Sequence, residues 1–229
     1  MHLQSDTDGR AAAKLSEVEK VLKALPLMSN CQLSTNHHYF ILNKPYDMLS
    51  QFIGGQGRML GELGIDFPEG THPIGRLDNH SEGLLILTTN KKVTKLLFQG
   101  DEPHRRTYLV RVYRKVSAET IEQLRTGVTI RIKGNVDYVT TPCEVELVET
   151  PENLFSGGYE YHPGLPHSWL RITLTEGKYH QIRKMTRAVG HPCQRLIRVS
   201  IEGLVLGDLP PGEVREVGEE EFFEKLKLR

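Results

Sequence analysis

Long apolar runs are missing from this chain of 229 residues. No stretch approaches the ~20 residues that a membrane-crossing helix needs, and the N-terminus is polar where a secretory signal would carry its apolar core, so a cytoplasmic protein is expected. Cysteine is scarce. Cys31, Cys143 and Cys193 are an odd number, far apart and without paired spacing, which gives no disulfide framework and no zinc knuckle and leaves ordinary thiols. Net charge is absent as well, 29 Lys and Arg facing 29 Asp and Glu, and that argues against a histone-like or tail-driven nucleic-acid binder. The glycines at 54, 55 and 57 lack both the spacing and the following lysine of a phosphate cradle, so they read as a flexible connection. Internal repeats and low-complexity segments are lacking too.

What is present is an ordinary globular composition, 38% hydrophobic and 25% charged, on a chain long enough for one large domain or two small ones. The even charge total hides an uneven distribution. From Arg171 to Arg198 seven basic residues face one acid, Glu176, whereas Glu213 to Glu224 holds six glutamates and one arginine, Arg215. A cationic face that grips phosphates and a merely solvated charged helix both fit that pattern.

Ser16-Glu17-Val18-Glu19 is a capping box, and Leu15, Val18, Val21, Leu22 and Leu25 follow helical spacing up to Pro26. Residues 28 to 38 are polar and aperiodic, so 1–38 is expected to be an appendage with one short helix and 39–229 the main domain. Tyr39 to Leu42 reads as a strand ending at Lys44-Pro45, and the uninterrupted apolar run Leu84 to Leu87 as a buried strand. Asn90 is placed to cap a helix bearing Val93, Leu96 and Leu97, and Ser117 to cap another bearing Ile121 and Leu124 that stops at Gly127. Strands are expected over Tyr108 to Tyr113, Val128 to Ile132, Cys143 to Val148, Trp169 to Thr175 and, last, Arg195 to Ile201, with a helix from Gln181 to Gly190. Residues 150 to 168, rich in proline and glycine, form a long surface loop. Helices among antiparallel-looking strands indicate an α+β domain with a mixed, mostly antiparallel sheet flanked by helices.

Three segments carry candidate chemistry. In Gly75-Arg76-Leu77-Asp78 the side chains of Arg76 and Asp78 are expected to share a face while Leu77 enters the core, leaving a carboxylate held between anchored strands. In Arg105-Arg106-Thr107-Tyr108 a flat ring with a polar tip lies beside two cations, which suits stacking on a base. In Gly177-Lys178-Tyr179-His180-Gln181-Ile182-Arg183-Lys184-Met185 a tight turn runs into a basic helix that can bring a guanidinium to the carboxylate.

These segments, in this order and with SEGLLILT after GRLD, resemble the RNA pseudouridine synthases of the RsuA, RluB, RluE and RluF type, over about Tyr39 to Val217. The stretch Asn43 to Phe52 looks most like the RluE branch. Members of the family often carry an extra N-terminal RNA-binding domain, which 38 residues cannot supply. By position, the resemblance implies Asp78 as nucleophile or essential carboxylate, Tyr108 as the stacking tyrosine and candidate proton acceptor, and Arg183 as the salt-bridge partner of Asp78. It implies RNA contacts for Arg76, and the basic turn adds Lys178, His180, Gln181, Lys184 and Arg187. Leu77 and Ile182 pack around the pocket. Lys44 reads as a phosphate contact or merely as the neighbour of Pro45.

The implied reaction breaks the bond from the uracil ring to the sugar, turns the base and rejoins it through carbon 5, so no metal or cofactor is expected. A carboxylate can attack the sugar or face its developing positive charge, and the sequence does not choose. The implied partner is RNA, ribosomal RNA of the large subunit foremost and transfer RNA as the alternative, and the implied form is a monomer. A non-catalytic RNA-binding or ribosome-assembly factor is the competing reading. Hydrolysis of a nucleoside is a third, and it would need a second acid, for which Glu82 is the neighbour at hand.

Overall fold

The computed structural model describes residues 37–99, 103–158, 161–162 and 164–228. The expected helix near Val18 lies outside them.

The central sheet grows from β1 (Tyr39–Lys44), β2 (His72–Ile74), β3 (Glu82–Thr88), β4 (Arg106–Tyr113), β7 (Glu144–Val148), β8 (His167–Leu174), β9 (Cys193–Ile201), β10 (Leu204–Val205) and β11 (Val214–Glu216). Its order is β11-β1-β3-β9-β4-β8-β7, with β10 on β9 and β2 on β3. Only the β3–β9 contact is parallel among these pairs, so the sheet is mixed and mostly antiparallel, as the α+β reading requires. β5 (Thr129–Ile132) and β6 (Val136–Val139) make a separate hairpin.

Leu84 to Leu87 are all fully buried, and their alternation explains it: Leu84 and Ile86 enter one core cluster, Leu85 and Leu87 another on the opposite face. A strand covered on both sides has no polar positions to offer. Helix α1 (Lys92–Gln99) inserts Val93 and Leu97 into the first cluster, and Asn90 Oδ1 accepts the Lys92 N–H at its start. Helix α2 (Ala118–Thr126) begins at Ser117, whose Oγ accepts from Thr120 N, and ends at Gly127. Helix α3 (Gln181–Ala188) packs Ile182 and Met185 with Leu124 of α2 over Val110, Val112 and Ile172.

The chain does not close with β9. β11 adds to the edge of β1, and helix α4 (Glu219–Leu226) lays Phe222 and Leu226 into the first cluster, with the Phe222 ring 4.4 Å from that of Tyr39. The acidic run is thus the solvated side of a packed helix. Strand β6 is also additional to the sequence expectation. At three or four residues, β6 and β11 are too short to display a period of their own.

A single transverse row crosses four strands of the sheet. Lys44 pairs with Gly83, Gly83 with Arg198, and Arg198 with Tyr108, so these positions lie side by side. Gly83 has φ +99°, and a Cβ there would lie 2.3 Å from the carbonyl oxygen of Arg198. Only glycine permits that approach.

Candidate active site

The loop between β2 and β3 carries Asp78 to the wall of an open cleft of about 1060 Å³. Its backbone is fastened from below. Ser50 Oγ donates to the Leu77 carbonyl (2.9 Å) and accepts the Leu77 N–H (3.0 Å), the Ser81 N–H closes a turn on the Asp78 carbonyl, and Asn79 Nδ2 donates to Asp47 Oδ1 at 2.6 Å. Leu77 is buried, as its position in the loop predicts, and both Arg76 and Asp78 line the cleft.

Lys44 supplies the deepest of these ties. Its side chain is fully buried, and Nζ donates to the carbonyls of Met48 (2.7 Å), Pro45 (2.8 Å) and Asn79 (3.3 Å). Three N–H groups meet three acceptors, so the ammonium has no hand left for phosphate. Burial pulls its pKa down to about 7, while the nearby charges of Glu82, Asp78 and Asp47 act in the opposite sense. Asp47 and Ser50, and the tethering role of Lys44 in place of the phosphate contact considered for it, escape a reading of the sequence because they act on the loop around Leu77 and Asn79, about 30 residues along the chain. The signal that points to them is the polar clustering in Asn43 to Phe52 itself.

The opposite wall is the turn into α3. His180, with φ +54°, holds Nε2 3.4 Å from Asp78 Oδ1. Arg183 departs from the expected salt bridge. Its Nη2 donates to the His80 carbonyl (2.6 Å) and approaches Ser81 Oγ (3.4 Å), and it forms no ion pair with Asp78 within 4 Å. The guanidinium therefore binds the loop that bears Asp78, two and three residues beyond the carboxylate, where it satisfies a backbone carbonyl and approaches a hydroxyl. Gln181 also needs correction as an RNA contact: it is buried, its Oε1 accepts the Lys178 N–H (2.8 Å), and its Nε2 donates to Glu176 Oε1 (2.7 Å). Both amide ends are spent inside the turn.

Burial raises the pKa of the Glu176 carboxyl, but hydrogen bonds from Tyr138, Thr141 and Gln181 outweigh it and hold the group below its ordinary value. Lys178 lies over the Tyr138 ring at 4.6 Å and still lines the cleft. Lys184 rests over the exposed Tyr179 ring at 5.3 Å, and Arg187 is exposed; neither belongs to the cleft wall. Tyr108 stands in the cleft, next to Arg198 in register, and Ile182 is buried beneath the rim. Glu82 is spoken for: Arg195 Nε and Nη2 donate to its two oxygens at 2.8 and 2.9 Å, a largely buried pair, and Glu82 does not line the cleft in which a second acid would have to stand beside Asp78.

A carboxylate, a phenol and a cationic rim around an open cleft suit chemistry on a ribose whose base has been swung out of its stack. Residues 38–188 match the family model of RNA pseudouridylate synthases. The chain belongs to that family. This RNA pseudouridine synthase, an isomerase, is 38% identical over 179 residues to the ribosomal large subunit pseudouridine synthase E of Vibrio vulnificus (strain CMCP6), a match covering 77% of this chain and 74% of that protein. It is 36% identical to the protein of the same name from Xanthomonas axonopodis pv. citri (strain 306), over 75% of this synthase and 89% of the relative. Among solved structures, a pseudouridylate synthase crystal structure superposes with a TM-score of 0.68 at 25% identity, over 83% of this synthase and 74% of that chain. Among the described residues of the synthase no helix is long and apolar enough to cross a membrane.

Proposed function

We propose that this synthase converts a uridine of large-subunit ribosomal RNA to pseudouridine in the cytoplasm, with Asp78 as the essential carboxylate. One observation carries the assignment of the residue: Asp78 stands at the cleft wall on a loop whose backbone is pinned by Ser50, Lys44 and Arg183. Such pinning places the carboxylate without further loss of entropy when substrate arrives. The bond from C1′ to N1 breaks, the uracil turns, C1′ bonds to C5, the C5 proton leaves and N1 takes up a proton in its place. No electron is gained or lost, and no group enters. Asp78 meets the anomeric carbon, Tyr108 stacks on the base and takes part in the final proton removal, and Arg183 acts by holding the loop. Arg76, Lys178 and His180 line the path by which RNA enters. Engagement of Glu82 by Arg195 weighs against a hydrolytic reaction, which would need a second acid to poise water.

The large-subunit synthases of Vibrio and Xanthomonas support the RNA class. It is tested by mapping pseudouridine in ribosomal and transfer RNA from cells with and without the protein. One large-subunit position should lose its modification. Loss at a transfer-RNA position instead would move the substrate class, and an unchanged map would reject the assignment.

A further inference from the structure

The cleft contains two guanidinium groups that form no ion pair within 4 Å with any acid among the described residues. Arg198 is 4% exposed; its Nε donates to the Leu84 carbonyl at 2.7 Å, while Nη2 is buried with no partner among the described residues. Arg106, two residues before Tyr108 on the same strand, has no hydrogen bond or ion pair from its guanidinium among the described residues, and burial lowers its pKa. Each lines the cleft, and they are near enough for the charge of Arg198 to disfavour that of Arg106. Among the described residues no acid forms an ion pair with either group: Glu82 is held by Arg195, Glu176 by Tyr138 and Gln181, and Glu202, held by Lys227 and the Arg105 N–H, favours the Arg106 charge only at a distance, while Asp78 lines the same cleft unpaired with them. Two cations half or wholly removed from water without an ion-pair partner are costly, and an entering anion would offset that cost.

Beside them stands an exposed aromatic ring. Phe98, at the end of α1, is 48% exposed, and the Arg106 guanidinium lies 5.8 Å from its ring centre. The backbone on each side leaves room for this pair. A Cβ on Gly75 would come within 2.9 Å of the Phe98 ring, and one on Gly177 within 2.9 Å of Arg106 Nη1.

We propose that Arg106 and Phe98 form a nucleotide subsite next to the uridine pocket, in which a phosphodiester of the RNA seats on the Arg106 guanidinium, with the buried charge of Arg198 behind it, and a neighbouring base stacks on Phe98. The guanidinium fork matches phosphate oxygens in pairs, and an aromatic face accepts any base, so the subsite grips the strand without reading its sequence. The inference rests on RNA entering the cleft beside Asp78.

The test uses the full chain and large-subunit ribosomal RNA transcribed in vitro with uridine tritiated at C5, so that binding and isomerisation are read on one substrate. Arg106→Gln should raise the dissociation constant about tenfold and reduce the slope of its logarithm against log salt by about 0.7 to 1. Phe98→Leu, which keeps the charges and most of the apolar volume, should weaken binding several-fold with the slope unchanged. Arg106→Lys, the variant to use if the glutamine chain melts early, should retain the slope while still losing affinity. Wild-type affinity and slope in Arg106→Gln, or in Arg106→Lys and Phe98→Leu together, would overturn the subsite. The reading beneath it fails separately: full tritium release by Asp78→Asn would remove Asp78 as the essential carboxylate whatever Arg106 does.

Discussion

His180 Nε2 stands 3.4 Å from Asp78 Oδ1, while Arg183 passes that carboxylate and donates to the carbonyl of His80 at 2.6 Å. The arginine thus acts on the loop rather than on the acid. Arg183→Met should lower the rate with bound RNA by roughly 10²-fold, the cost of about an ångström of misplacement, with little change in RNA affinity. Single-turnover rates at saturating enzyme check it; a wild-type rate would show that the loop needs no such tether.

The backbone of His180 makes a prediction of its own. With φ +54° it occupies the left-handed region, which suits glycine and asparagine and penalises branched side chains. His180→Val should therefore cost about 1–2 kcal/mol of stability, whereas His180→Gly should leave the unfolding midpoint nearly unchanged. Urea unfolding of the two variants separates this from any part the imidazole plays beside Asp78.

Glu82 and Arg195 are both largely buried and share two hydrogen bonds. Removing only the acid strands a charge, so Glu82→Leu should destabilise the fold by about 3–5 kcal/mol. Replacing both, Glu82→Leu with Arg195→Met, should recover most of that loss. Equal stability of the single and double variants would mean that the pair contributes through something other than its charges.

Lys44 links stability to pH. Its pKa falls from 10.5 in the ordinary case to about 7 in the fold. Between those values the unfolded chain binds more protons than the folded one, so folding becomes more favourable as pH rises from about 7 towards 10. Measured against Lys44→Met, the wild-type advantage in urea should grow across pH 7, 8 and 9. A difference that stays flat would show that the three carbonyls hold the ammonium fully charged throughout.

Much of the fold and part of the site are legible in the sequence where local pattern and burial agree. Leu84 to Leu87 announces a strand covered on both faces, Asn90 and Ser117 announce helix starts, and Leu77 beside Asp78 announces which side chain turns inward. What stays hidden depends on contacts between distant segments. Nothing near Lys44 tells that its ammonium is enclosed by carbonyls up to 35 residues away. Gln181 looks like a surface amide until Glu176 and the Lys178 N–H take both its ends. Arg198 counts as one charge among seven in the sequence, and only the register of β9 beside β4 sets it next to Tyr108 with an unpartnered nitrogen. β11 and α4 are short or dominated by glutamate, so the apolar residues that dock them, Phe222 and Leu226, are outnumbered in any window.

The claim that the Asp78 carboxylate drives the isomerisation is tested most directly with RNA tritiated at C5 of uridine, since formation of the new carbon–carbon bond must expel that hydrogen. Asp78→Asn keeps the shape of the side chain and removes its charge. The account predicts no tritium release above background from this variant, with RNA affinity and unfolding midpoint close to those of the wild type. Release at the wild-type rate would contradict it.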